Sequence, residues 1–312
     1  MSRATSRVRS PPVVAAALLV VVAAAVALVA AVVPRASAGA DPTSCAAATP
    51  AGGATYGLEV PAGPLPMRVL VHVPRRPAGR RLPLVLAFHG AGADGAQFRR
   101  YSGLAALADR AGFAVAFPTA PAPTRSWQLF DQPGSGRDDV AAVGRALDAV
   151  LGRSCVDPGR VFATGVSNGG GFTARLGCAL PERIAGIAPV AGGYRAVARC
   201  PAGRPVSVLE IHGTEDHVVP YRGGEETDFR GAVLPYLRVW AARDGCGPHG
   251  IVTRRPGVLV RWRWAGCAPG IRVRHVAIVG GRHSWSGGTP RDAGPNPLSA
   301  AEEVWRFFRS PG

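Results

Sequence analysis

Beyond residue 66 the chain switches repeatedly between two hydrophobic periods. Short β-type runs fall at Arg68 to Val73, Leu84 to Phe88, Phe113 to Phe117, Val161 to Thr164, Ile184 to Val190 and Val206 to Ile211, with two more at Val258 to Trp264 and Ile271 to Val279. Helix-type runs separate them at Leu104 to Ala111, Asp138 to Leu151, Phe172 to Leu180 and Val233 to Arg243, and a last one closes the chain at Leu298 to Phe308. In the second of these, Val140, Val143, Leu147 and Leu151 line one face behind an acidic start at Asp138 and Asp139. Residues 39–66 are small, Gly/Pro-rich and aperiodic, and read as an N-terminal arm. Strands alternating with helices predict an α/β domain over 67–312: right-handed crossovers, a mostly parallel central sheet, and helices on both faces. In such a sheet the chemistry gathers in loops at the carboxyl ends of the strands.

The N-terminus obeys neither period. Arg3, Arg7 and Arg9 precede an unbroken apolar run from Val13 to Val33, and Ala36-Ser37-Ala38 follows as a small-x-small cleavage pattern. The run reads as a signal peptide over residues 1–38, and its 21 residues are also long enough for an N-terminal membrane anchor. Either reading exports the rest of the chain, with a membrane as partner only if the segment is retained. Cleavage after Ala38 would leave 274 of the 312 residues, and the four arginines removed would lower the net charge from +16 to +12.

Composition changes this picture in three ways. Hydrophobic residues at 47% and charged residues at 18% are those of a globular chain rather than a disordered or coiled-coil one. All 36 basic residues are arginine, which excludes any mechanism needing a Schiff-base or P-loop lysine. Six cysteines in an exported chain suggest three disulfides. Of the 15 possible pairings, the expected set joins the near neighbours Cys178–Cys200 and Cys246–Cys267 and leaves Cys45 with Cys155. No Cys/His cluster has zinc spacing, so no metal is expected.

Gly165-Val166-Ser167-Asn168-Gly169 has the GxSxG pattern, and it stands between a strand and a helix as a nucleophile elbow requires. A serine hydroxyl needs a base, and this architecture supplies its partners in the order Ser, acid, His. Asp216 follows the strand ending at Ile211, with Glu215 and Glu210 as rival acids. His283 sits in the glycine-flexed loop after the last strand, whereas His72 and His275 fall inside strands and His89 and His212 belong to His-Gly turns. Backbone N–H groups of Asn168 and of Ala91, after the His89-Gly90 strand end, are the expected oxyanion donors. Trp127, Phe130, Tyr221 and Trp285 are candidates to sandwich an aromatic acyl group, against the plainer reading that they cover the edge of the core.

Phe88-His89-Gly90, Asp138-Asp139-Val140, Arg160 to Gly170, His212-Gly213-Thr214-Glu215-Asp216 with Val219-Pro220-Tyr221, and Gly281 to Trp285 resemble the secreted polyhydroxybutyrate depolymerase-like and feruloyl esterase family over residues 66 to 309. The resemblance implies an α/β-hydrolase fold, a Ser167–Asp216–His283 triad, Ala91 as an oxyanion position, and cofactor-free hydrolysis of carboxylic esters; a monomer is expected. The chain departs from the family at His217, where members often carry proline. No appended substrate-binding or linker module of the kind carried by polymer-degrading members is read in the sequence, which shifts the expected substrates toward smaller or soluble esters. Two alternatives keep the fold: an exported acyltransferase using the same triad, and a non-catalytic binding protein. A nucleic-acid partner is not expected, because Arg261/Arg263 and Arg272/Arg274 alternate with apolar neighbours as on the solvated face of strands.

Overall fold

The computed structural model describes residues 53–75, 81–194, 200, 203–224, 232–255, 258–288 and 297–310. The signal or anchor segment, the first part of the expected arm and Cys45 lie outside these described residues. Within them the elements run β1 (Ala54–Val60), β2 (Met67–Val73), β3 (Leu82–Phe88), α1 (Gly95–Tyr101), α2 (Leu104–Ala111), β4 (Ala114–Thr119), α3 (Asp139–Arg153) and β5 (Val156–Val166). They continue as α4 (Asn168–Ala179), β6 (Gly186–Val190), β7 (Ser207–Gly213), α5 (Val233–Arg243), β8 (Gly250–Arg255), β9 (Leu259–Trp264), β10 (Val273–Ile278) and α6 (Ala300–Arg309).

The strands form one sheet in the order β1-β2-β4-β3-β5-β6-β7-β10-β9-β8. The six central strands, β4 through β10, are parallel, and an antiparallel pair flanks them on each side. Central strands β3, β6 and β7 are buried along their whole length, as expected for strands covered on both faces. Helices α3, α4 and α5 cover one face through Leu147, Phe172 and Trp240, and α1, α2 and α6 cover the other through Phe98, Leu104 and Phe308. Stacked pairs Phe113–Trp305 and Phe162–Phe308 seat α6 on its face.

Four elements depart from the sequence reading. The expected arm contains β1, which pairs along its length with β2; Tyr56, Leu58 and Val60 alternate inward, a period hidden by flanking Gly and Pro. Helix α1 is too short to show a hydrophobic stripe. It begins instead on a capping box, in which the Gln97 N–H donates to Asp94 Oδ1 (2.7 Å) and the Asp94 N–H donates to Gln97 Oε1 (3.1 Å). Strand β8 pairs antiparallel with β9 at the sheet edge. Helix α4 also starts four residues earlier than expected, because Gly169, Gly170 and Gly171 carry no periodic signal.

The bridges Cys178–Cys200 and Cys246–Cys267 are present as expected. Each closes a loop of about 20 residues, a constraint on the unfolded chain worth about 3 kcal/mol. The second encloses the β8–β9 hairpin. The strand-face arginines are not uniformly solvated: Arg263 and Arg274 are exposed, but Arg261 ion-pairs with Glu303 of α6, and the Arg272 guanidinium lies 4.6 Å from the Phe307 ring. Helix α6 overhangs this end of the sheet, so residues of alternating polarity are drawn into contact with it.

Candidate active site

Four parallel strands end along one edge of the sheet, and each delivers one part of the site. Strand β5 ends at Val166 and the chain turns through Ser167 into α4. Ser167 takes φ 58° and ψ −123°, a strained conformation for a residue with a side chain. The turn closes only because its neighbours lack Cβ atoms. A Cβ on Gly169 would lie 2.3 Å from the Phe88 carbonyl oxygen and 2.4 Å from that of His89, and one on Gly165 would lie 2.5 Å from the Gly169 oxygen. The Ser167 N–H donates to the Val190 carbonyl (2.9 Å), which ties the turn to β6.

Strand β3 ends at Phe88 and leads into His89-Gly90-Ala91. The Ala120 N–H donates to His89 Nε2 (3.0 Å), so the His89 Nδ1–H donates to the Gly90 carbonyl (2.7 Å). Burial pushes the His89 pKa down, which keeps this ring neutral as a strut. Ala91 borders the same cavity as Ser167, and among the described residues no acceptor takes the N–H of Ala91 or of Asn168. The Asn168 side chain faces the other way, accepting the Trp127 N–H at Oδ1 (2.7 Å) and donating through Nδ2 to the Trp127 carbonyl (3.1 Å).

The third and fourth strand ends meet each other. Beyond β7, the Glu215 N–H donates to the Gly281 carbonyl (2.9 Å), and the Gly280 N–H to Thr214 Oγ1 (2.9 Å). The loops cross so closely that a Cβ on Gly213 would lie 2.1 Å from the Gly281 oxygen. Asp216 is buried; its Oδ1 accepts the N–H groups of Val218 (2.9 Å) and Val219 (2.7 Å), and its Oδ2 accepts from His283 Nδ1 (2.7 Å). Burial would raise the Asp216 pKa, but hydrogen bonds from His212 and His283 hold it well below the usual carboxylate range. The rival acids separate cleanly, with Glu215 exposed and Glu210 buried inside β7. His217 is exposed and leaves the turn around Asp216 closed.

Ser167 and His283 border one open cavity of about 870 Å³, together with Ala91, Ala93, Val218 and Trp285. Gln97 and Arg100 reach it from α1. Of the expected acyl contacts, Trp285 forms a wall of this cavity, its indole N–H held by the Ser102 carbonyl (2.9 Å). Trp127 is not at the cavity: it is buried, stacks on Phe172 at 4.9 Å, and donates its indole N–H to the His89 carbonyl (3.1 Å). Tyr221 is also displaced, because its hydroxyl is bonded to His275 Nε2 (2.9 Å). Phe130 is 40% exposed and does not border the cavity. Sequence reasoning missed the groups behind Asp216: His212, Glu210, His275 and Tyr194 form a buried polar cluster under the acid. The visible signal was two histidines and a glutamate on apolar strands.

A second cavity, of about 580 Å³, opens at the opposite edge of the sheet among Arg75, Arg110, Arg160 and Arg309. No serine, cysteine or histidine borders it, whereas Ser167 and His283 both border the first cavity. Among the described residues, no helix is long and apolar enough to cross a membrane.

Comparison with known proteins agrees with this geometry. Residues 68–211 match the family model described as esterase PHB depolymerase. NocK of Nocardia uniformis subsp. tsuyamanensis, assigned as an esterase, is 34% identical over 69% of this chain and 68% of its own length. Feruloyl esterase B of Piromyces equi is 29% identical over 70% of this chain, but the match covers only 42% of that enzyme. The solved acetyl xylan esterase from Aspergillus awamori superposes with a TM-score of 0.62 over 82% of this chain and 99% of that one, at 15% identity, which shows a shared fold. The ten-stranded domain is an α/β-hydrolase fold, and the chain belongs to the polyhydroxybutyrate depolymerase-like and feruloyl esterase family of carboxylic-ester hydrolases.

Proposed function

We propose that this chain is an exported serine esterase working through an acyl-enzyme. Ser167 attacks the ester carbonyl while His283 takes its proton, and Asp216 holds the imidazole tautomer and stabilises its charge. The N–H groups of Ala91 and Asn168 receive the oxyanion, each donor contributing roughly 10²–10³ in rate. His283 returns the proton to the leaving alcohol, then activates water to release the acid. The observation that carries this reading is a shared wall: Ser167 and His283 border one cavity, and His283 is bonded from behind to buried Asp216.

The substrates that fit are feruloyl or acetyl esters of plant polysaccharide and short hydroxyalkanoate esters. An open cavity walled by Ala91, Ala93, Val218 and Trp285 suits a small or flat acyl group with the alcohol left outside. Export agrees with the basic-apolar-small N-terminal sequence and with the two disulfides. The purified enzyme should hydrolyse p-nitrophenyl acetate and take a fluorophosphonate label, and Ser167→Ala should remove both. Labelling retained in Ser167→Ala excludes Ser167 as the nucleophile. A panel of methyl ferulate, acetylated xylan and hydroxybutyrate oligomers then separates the acyl classes by kcat/KM.

A further inference from the structure

Behind Asp216 lies a second histidine with no part in the reaction as described. His212 is fully buried, its Nδ1 2.9 Å from Glu210 Oε1. Its Nε2 is 2.9 Å from the Val219 carbonyl oxygen and 3.2 Å from Asp216 Oδ2, the oxygen that also takes His283. Both ring nitrogens therefore face only acceptors. A carbonyl oxygen carries no proton, so Nε2 must hold one. The proton between Nδ1 and Glu210 is then either on the ring or on the carboxyl.

The surroundings of Glu210 decide that point. Its Oε1 also accepts from the Tyr194 hydroxyl (2.7 Å), and its Oε2 is 2.6 Å from His275 Nδ1, whose hydrogen bond goes to the Glu210 backbone carbonyl (3.1 Å). The other His275 nitrogen is bonded to the Tyr221 hydroxyl (2.9 Å). Donors on both sides favour the carboxylate, which leaves the proton on His212. Burial opposes ionisation of both partners. The neighbouring imidazoles nonetheless hold Glu210 down to about 2, and the two carboxylates hold His212 up to about 10.

We propose that His212 is a positioning residue: a buried imidazolium that shares the Asp216 carboxylate with His283 and so sets the pH at which the site becomes active. One carboxylate oxygen serves two imidazoles. The positive charge on His212 offsets part of the negative charge on Asp216, weakens its grip on a protonated His283, and keeps that ring available as a base at lower pH. The groups facing His212 are Glu210 on its own strand, Asp216 and Tyr221 from the following loop, and, through Glu210, His275 from β10 and Tyr194 from the loop after β6.

The inference rests on the Ser167–His283–Asp216 reading, and its test separates the two. The kcat/KM profile for p-nitrophenyl acetate is measured from pH 4.5 to 9 in wild type and His212→Gln, with fluorophosphonate labelling of both. Removing the imidazolium should move the acid limb to higher pH by about one unit. A labelled variant whose acid limb stays in place, whatever its overall rate, overturns the proposal, as does a limb moved to lower pH. A wild-type enzyme that takes no label removes the triad reading and this inference with it.

Wild-type protein labelled with ¹⁵N-histidine tests the charge even if the variant does not fold. His212 should appear as an imidazolium with both nitrogens protonated from pH 5 to 9, and a neutral ring at pH 7 overturns the proposal.

Discussion

The proposed nucleophile and its proposed base are held in place by different physics. Around Ser167 the constraint is steric, with Gly165 and Gly169 so close to neighbouring carbonyls that no other residue fits. Around His283 the constraint is polar, a chain running from His283 through Asp216 and His212 to Glu210. A steric device either closes or fails. A polar one can be tuned, because each proton and each charge along it moves the next. The elbow should therefore fail through folding, and the acid side through activity and pH.

The largest effect is expected at Gly169. In Gly169→Ala the new Cβ meets two backbone oxygens closer than 2.5 Å, and neither can move without shifting β3. A loss of about 3 kcal/mol or more is expected, enough to lower Tm by roughly 10 °C. An unchanged melting curve breaks the steric half of the comparison. Next comes Asp216→Asn, which should lower kcat by roughly 10³–10⁴ by presenting His283 with the wrong partner. A decrease under tenfold in a variant of wild-type far-UV circular dichroism removes Asp216 from its role.

A smaller effect is expected in stability against pH. A histidine raised to about 10 in the fold binds its proton more tightly than in the unfolded chain. Its contribution is complete below the unfolded value near 6.5 and is lost as pH rises through about 10. Tm should fall between pH 7 and 9.5, below the range in which tyrosines titrate, and His212→Gln should flatten that slope. Glu210, held down to about 2, acts with the opposite sign: its contribution is present above the unfolded value near 4 and lost as pH falls through about 2. The smallest effect is at Trp127→Phe, which keeps the ring against Phe172 and loses only the bond to the His89 carbonyl. A cost of about 1 kcal/mol with KM unchanged is expected. A raised KM for methyl ferulate would return Trp127 to the substrate.

What the sequence made legible follows the same division. The GxSxG turn needs glycine at fixed offsets, so its steric demand is written in the residue types themselves. Asp216 and His283 could be singled out because each follows an apolar strand in a loop, and the structure bonds the two to each other. The cluster behind Asp216 was not readable, because His275 lies on the strand beside Glu210 and His212, and the register of the two strands brings it to Glu210 from 65 residues away. Trp127 and Tyr221 failed as substrate contacts for a related reason. A loop aromatic looks alike in sequence whether its polar atom meets solvent or a backbone carbonyl. Strand β1 was hidden by the Gly and Pro residues that flank it, and α1 by having too few turns for a stripe, although Asp94-x-x-Gln97 marked its start.

The hairpin of β8 and β9 has a different kind of consequence. It leaves and re-enters the domain at Cys246 and Cys267, which are bonded to each other, and beside them the Gly247 N–H meets the Ala265 carbonyl at 2.8 Å. The two ends of the excursion are thus stapled together at the rim, and the four strands that carry Ser167, Ala91, Asp216 and His283 lie on the inner side of the staple. The staple thereby fixes the hairpin as a flank of the sheet, with β9 held in one register against β10, the strand that leads to His283.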